Sequence, residues 1–132
     1  MKTYSRVYAK IDLDAIAYNM EQMKDQIGKE ARLIAVIKTD GYGHGAVPIA
    51  RMFETFSYVW GYAVACIEEA VSLRKEGIKK PILVLGCVFP DQYETMIKNE
   101  IRAAVYTKEM AEGMSDEAVR QGKNAYFHIK ID

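Results

Sequence analysis

Apolar residues recur along this chain in two alternating rhythms. Between Leu13 and Ile27, the positions Ile16, Met20, Met23 and Ile27 are spaced by four, three and four residues, which lays them on one face of a helix that Gly28 ends. Leu33 to Lys38 is instead a short, nearly continuous apolar run, as expected of a strand buried on both faces. The exchange then repeats. Helices are predicted over about Ala46 to Phe56, Ile67 to Glu76, Pro90 to Asn99 and Lys108 to Gln121, and strands over Tyr58 to Ala65, Pro81 to Gly86, Ile101 to Tyr106 and Ala125 to Ile131. A further strand is predicted at Arg6 to Asp12, ahead of the first helix.

Punctuation agrees with this reading. Pro48 falls in a first helical turn, where its missing N–H costs nothing. Glu68 and Glu69 open the helix that Arg74, Lys75 and Gly77 close, so charges and cap follow the helix dipole. One strand followed by five helix-strand repeats calls for a parallel sheet with right-handed crossovers, which a doubly wound sheet and a (β/α)8 barrel both satisfy. A complete barrel takes about 250 residues. At 132 residues, a barrel here is an incomplete one of about five βα units, preceded by the extra N-terminal strand.

Composition narrows the function classes. The 18 basic and 18 acidic residues cancel, so there is no excess of cations to neutralise a nucleic-acid backbone or to seek an anionic membrane. The first twelve residues, MKTYSRVYAKID, lack a signal-peptide core, and the longest apolar stretch, Tyr58 to Ile67, is far short of the ~20 residues a membrane span needs. Cys66 and Cys87 lie far apart without CxxC spacing, which suggests neither a disulfide framework nor a metal site and leaves a pair of buried small hydrophobes as the simpler account. The expected compartment is the reducing cytoplasm.

Chemistry concentrates around Lys38. Alternation puts it on one face with Ile34 and Val36, as the one charge on a face read as buried, at the carboxyl end of its strand, where ligands of parallel α/β folds bind. A desolvated amine there can attack a carbonyl and form a Schiff base, whereas position alone favours an amine that snorkels to the rim. The loop Thr39-Asp40-Gly41-Tyr42-Gly43-His44-Gly45 follows, opening a helix whose N–H groups could favour an anion. Tyr42 can donate to a phosphate or pack on the sheet, and His44 is either a general base or a solvated loop residue.

The run Ala35-Val36-Ile37-Lys38-Thr39-Asp40-Gly41-Tyr42-Gly43-His44-Gly45 closely resembles the pyridoxal-phosphate attachment motif of bacterial alanine racemases. The resemblance extends through Ile11 to Ile16, Leu73 to Ile78, Pro81 to Gly86 and His128 to Asp132, with Asp40 and Gly41 at positions that are often Asn and Ala. It is far weaker to other pyridoxal-phosphate barrels, such as the ornithine-decarboxylase type. Enzymes of this family have a (β/α)8 barrel and a C-terminal β domain, and act as homodimers. The resemblance therefore implies interconversion of L- and D-alanine, supplying D-alanine for peptidoglycan.

By the same resemblance, Lys38 forms the Schiff base with pyridoxal 5′-phosphate and serves as one of two catalytic bases, Tyr42 bonds the cofactor phosphate, and Leu85 lines the cofactor pocket. Lys130 matches a lysine that is often carbamylated. It shares a strand face with Tyr126, His128 and Asp132, opposite Phe127, Ile129 and Ile131, which should face helices. From the residues alone, an ordinary salt bridge at Lys130 is preferred. Residues 1–132 then correspond to the N-terminal part of the barrel domain, without its C-terminal half or the β domain, and Arg6 to Asp12 to a strand that in relatives helps build that domain. Such a chain is expected to lack racemase activity by itself and to self-associate through open strand edges. The alternatives are a serine or broad-specificity racemase, and a non-catalytic fragment that binds pyridoxal phosphate or only associates with itself.

Overall fold

A computed structural model describes residues 6–131. They divide into two compact units, one ending at Ala31 and one starting at Arg32. The first contains α1 (Leu13–Gln26), which Asp12 caps by accepting the Ala15 N–H at 3.0 Å. At its other end, Lys24 Nζ donates to the carbonyls of Gly28, Lys29 and Ala31, which holds the chain that leaves the helix. On the predicted face, Met20 is buried and Ile16 half-buried, while Met23 and Ile27 are exposed.

The strand expected over Arg6 to Asp12 does not form. No ladder reaches it among the described residues, and Val7 and Tyr8 are 85% and 75% exposed. Its alternation satisfied a strand pattern, but a strand exists only where a neighbour accepts and donates along it.

The second unit holds β1 (Leu33–Val36), α2 (Lys38–Tyr42), α3 (Ala46–Phe53), β2 (Val59–Val64), α4 (Ile67–Lys75), β3 (Ile82–Val84), a 3-10 turn (Pro90–Gln92), α5 (Tyr93–Lys98), β4 (Arg102–Val105), α6 (Lys108–Gln121) and β5 (Phe127–Ile129). All four strand pairings are parallel, and the strands lie in the order β1-β2-β3-β4-β5. A doubly wound sheet must reverse its strand order at a switch point. This one never does, so it is the singly wound, barrel type of α/β sheet, with five strands described.

One face is packed against helices, and the other is open along its outer strands and carboxyl edge but not at its centre. Ala35 and Ile37 of the first strand are buried, as are Phe53, Leu73, Met96, Ile97 and Met114 from the helices. By contrast Ile34 and Val36, on the side assigned to Lys38, are 39% and 43% exposed. The reading of Lys38 as a charge on a buried face is therefore corrected. On this second face Ala63, Leu83 and Ala104 are buried in the middle of the sheet, while the β1 side lies open because the sheet does not close on itself within the described residues. Likewise Phe127 and Ile129 were expected to face helices, yet Ile129 is 74% exposed, since β5 is an edge strand with no described helix following it.

Candidate active site

The four residues singled out from the sequence all lie at the carboxyl edge of the sheet. Lys38 comes two residues after the end of β1, Leu85 directly follows β3, Lys130 directly follows β5, and Tyr42 ends α2. The ladders run on past the strand ends. Ile37 N–H donates to Ala63 O at 2.9 Å, Leu85 N–H to Val64 O at 2.9 Å, and Lys130 N–H to Val105 O at 2.8 Å. Lys38 is half-buried, Leu85 is 41% exposed, Tyr42 is 58% exposed, and Lys130 is exposed.

The segment after Lys38 is wound against the usual hand. Thr39, Asp40, Gly41 and Tyr42 have φ of 52°, 53°, 62° and 57°, and Gly43 continues at 83°. Each L-residue in this conformation costs roughly 1–2 kcal/mol, and for β-branched Thr39 it is a true outlier. Hydrogen bonds hold the turn. Gly41 N–H donates to Ile37 O (2.9 Å), Gly43 N–H to Thr39 O (3.1 Å), and Gly45 N–H to Asp40 O (2.8 Å). His44 lies with Nδ1 at 3.1 Å from Gly41 O and 3.2 Å from Tyr42 O. Two acceptors facing it make Nδ1 the protonated nitrogen, so this ring braces the turn and does not stand ready as a base at that atom.

Two carboxylates that the sequence reading did not single out as site residues complete the hold. Asp40 Oδ1 accepts the Ala46 N–H at 2.8 Å, so the first N–H of α3 is taken by the chain itself and the anion site suggested for that helix end is filled internally. Glu69 Oε1 accepts from Thr39 N–H at 2.7 Å and Glu69 Oε2 from Ala65 N–H at 2.8 Å. In the sequence Glu69 is one of two acidic residues in a first helical turn. No local pattern marks its contact with a residue thirty positions away.

Further along the edge, Tyr106 O–H donates to Cys87 Sγ at 2.8 Å, and this bond pushes the Tyr106 phenol above its ordinary value. Cys66 is half-buried, with its thiol pushed up first by burial and also by its bond to Glu68. The two cysteines are thus separate free thiols, one of them exposed, and not a buried pair.

Towards the amino end of the open face, the Arg102 guanidinium sits 4.9 Å from the Trp60 ring centre and 4.8 Å from that of Tyr126. The rings of Trp60 and His128 are 5.8 Å apart. Trp60 reaches this place because a register irregularity near the start of β1 pairs Leu33 with Val59 and Ile34 with Gly61, leaving Trp60 as the extra residue. Leu83, on the strand between Trp60 and Arg102, is buried.

A sequence model of the family described as "Alanine racemase, N-terminal domain" matches residues 11–132. The chain belongs to that family. It is 42% identical over 125 residues to an alanine racemase of Symbiobacterium thermophilum, covering 95% of this chain and 33% of the relative. With an alanine racemase of Clostridium perfringens it shares 45% identity over 127 residues, again covering 96% of this chain and 32% of the relative. The solved alanine racemase of Clostridium difficile 630, in complex with cycloserine, superposes with a TM-score of 0.94 at 37% identity, covering 99% of this chain and 35% of that one. The chain thus spans about a third of the length of these relatives. Among the described residues no helix is long and apolar enough to cross a membrane, and no cluster of three or more metal-ligating side chains occurs.

Proposed function

We propose that residues 1–132 form the N-terminal part of the barrel domain of a pyridoxal-phosphate-dependent alanine racemase, with the second half of the barrel and a β domain required for turnover. The carrying observation is the Lys38 amine at the carboxyl edge, at the head of a strained turn, in a chain of this family. Strain of this kind persists only where the surroundings enforce it, and it collects at functional sites.

The residues present suit the cofactor. A pyridoxal ring needs an amine for its aldehyde, an apolar bed, and donors for its phosphate. Lys38 provides the first, exposed Val36 and Leu85 the second, and the exposed phenol of Tyr42 one of the third. When bound, pyridoxal phosphate supplies the electron sink that makes an amino acid's α-hydrogen acidic. Lys38 would hold the cofactor covalently and move a proton on one face of the substrate. Tyr42 would donate its O–H to a phosphate oxygen, and Leu85 would keep water from the ring. Lys130 would take up carbon dioxide on its amine and release a proton, becoming an anion; an intact mass that never gains one carbon dioxide in bicarbonate at mildly alkaline pH would refute this. The place of action is the cytoplasm, the product D-alanine for peptidoglycan, and the working state a homodimer.

The test is visible absorption after adding pyridoxal phosphate. The wild-type chain should develop a band that Lys38→Ala lacks, and equal spectra would overturn the reading. Racemisation of deuterated alanine by this chain alone is expected to be absent. A second reading, self-association without turnover, is favoured by β1 and β5, each of which pairs with one strand only among the described residues.

A further inference from the structure

One carboxylate ties together the two strand ends that frame Lys38. Thr39 is the residue directly after Lys38, and Ala65 is the residue directly after β2. Glu69 accepts from both backbone N–H groups, one on each oxygen, at 2.7 and 2.8 Å. Its neighbour Glu68 is exposed and bonds the Cys66 thiol instead. The Thr39 bond reaches into the first residue of the left-handed run, whose other restraints are bonds within the loop and to the start of α3. Glu69 is thus the side chain that joins this run to a different element, α4.

We propose that Glu69 is a positioning residue for Lys38: by holding Thr39 and Ala65 at once, it keeps the left-handed turn wound and fixes where the Lys38 amine and the Tyr42 phenol stand relative to the sheet. This rests on the reading of Lys38 as the cofactor-holding residue. Both oxygens of Glu69 act as acceptors towards N–H groups. An amide in its place has one oxygen, and its NH2 would face a second donor, so Glu69→Gln keeps the shape and breaks one bond.

Two measurements on the 132-residue chain decide the matter. In the wild-type chain the Thr39 and Ala65 amides should exchange slowly with solvent deuterium, and in Glu69→Gln at least one should exchange about tenfold faster or more, as the loss of a bond to a charged group implies. Glu69→Gln should also form the Lys38-dependent absorption band with pyridoxal phosphate about tenfold more slowly, while Glu68→Gln behaves as wild type. Fast exchange at Thr39 in the folded wild-type chain, or wild-type band formation by Glu69→Gln, would overturn the proposal, the first without needing any variant to fold. Should the wild-type chain give no band at all, the reading of Lys38 fails, and the exchange measurement still decides whether Glu69 holds the turn.

Discussion

The Tyr62 phenol oxygen on β2 lies 2.8 Å from the Ala50 carbonyl of α3 and 3.0 Å from Glu54 Oε1, so two acceptors share one proton inside the core. Burial, then the bond and charge of Glu54, push this phenol well above its ordinary value, and it stays a donor. Glu54 also accepts the backbone N–H groups of Lys79 and Lys80, so its carboxylate links the phenol to the approach to β3. Tyr62→Phe is expected to destabilise the fold by about 1–2 kcal/mol, and a urea midpoint equal to wild type would contradict this.

Two glycines set how closely the strands approach. A Cβ on Gly61 would fall 2.4 Å from the Pro81 carbonyl oxygen, and one on Gly86 would fall 2.4 Å from that of Ala65. Backbone cannot yield as a flexible side chain does. Gly61→Ala and Gly86→Ala should each cost about 1–3 kcal/mol, with Gly86→Ala also disturbing the edge beside Leu85. Thermal midpoints test both, and a rise in either would show that the strands separate freely.

The sole tryptophan, Trp60, reports on the open face. His128 beside it is held below the ordinary value of 6.5, first by burial and then by the Arg102 charge. A depressed folded-state value means that the unfolded chain binds the proton more readily. Stability from this group is therefore present above pH 6.5 and is lost as pH falls through the folded-state value. Trp60 emission should change with a midpoint below 6.5, and His128→Gln should flatten both that change and the acid slope of stability. A midpoint above 6.5 would mean that burial and Arg102 do not govern this ring.

The Arg102 guanidinium lies within cation–π range of two rings, and its side chain makes no hydrogen bond or ion pair among the described residues. Such contacts contribute roughly 0.5–1 kcal/mol each at exposed sites. Arg102→Lys should lower stability by about that much and shift Trp60 emission, because a compact, strongly hydrated ammonium cannot serve both rings as the broad guanidinium does. Unchanged emission would remove the sandwich as a packing feature in solution.

Much of the fold was readable because apolar period and punctuation are local. The helix Lys108–Gln121 begins and ends where Thr107 and Gly122 cap it. Strands came out shorter than their apolar runs, as with Phe127–Ile129 inside Ala125 to Ile131, since a ladder extends only as far as its neighbour does. The choice between barrel and doubly wound sheet depended on strand order, a non-local fact. At the site, the motif drew attention to Lys38 and Tyr42, and the wider resemblance to Leu85 and Lys130, by their places along the chain. They could not show that Thr39 and Tyr42 take a conformation that glycine normally serves, nor that Glu69 reaches Thr39, because neither leaves a mark in the local pattern of residues.

A β-branched residue at φ 52° also marks where this molecule has room to become sturdier. Thr39→Gly or Thr39→Asn would relieve the conformation and should raise the melting temperature, as filling a left-handed position with a tolerant residue usually does. The same change would widen the range of angles open to the residue next to Lys38. Robustness and aim would then move in opposite directions, with the more heat-resistant variant reacting more slowly with pyridoxal phosphate.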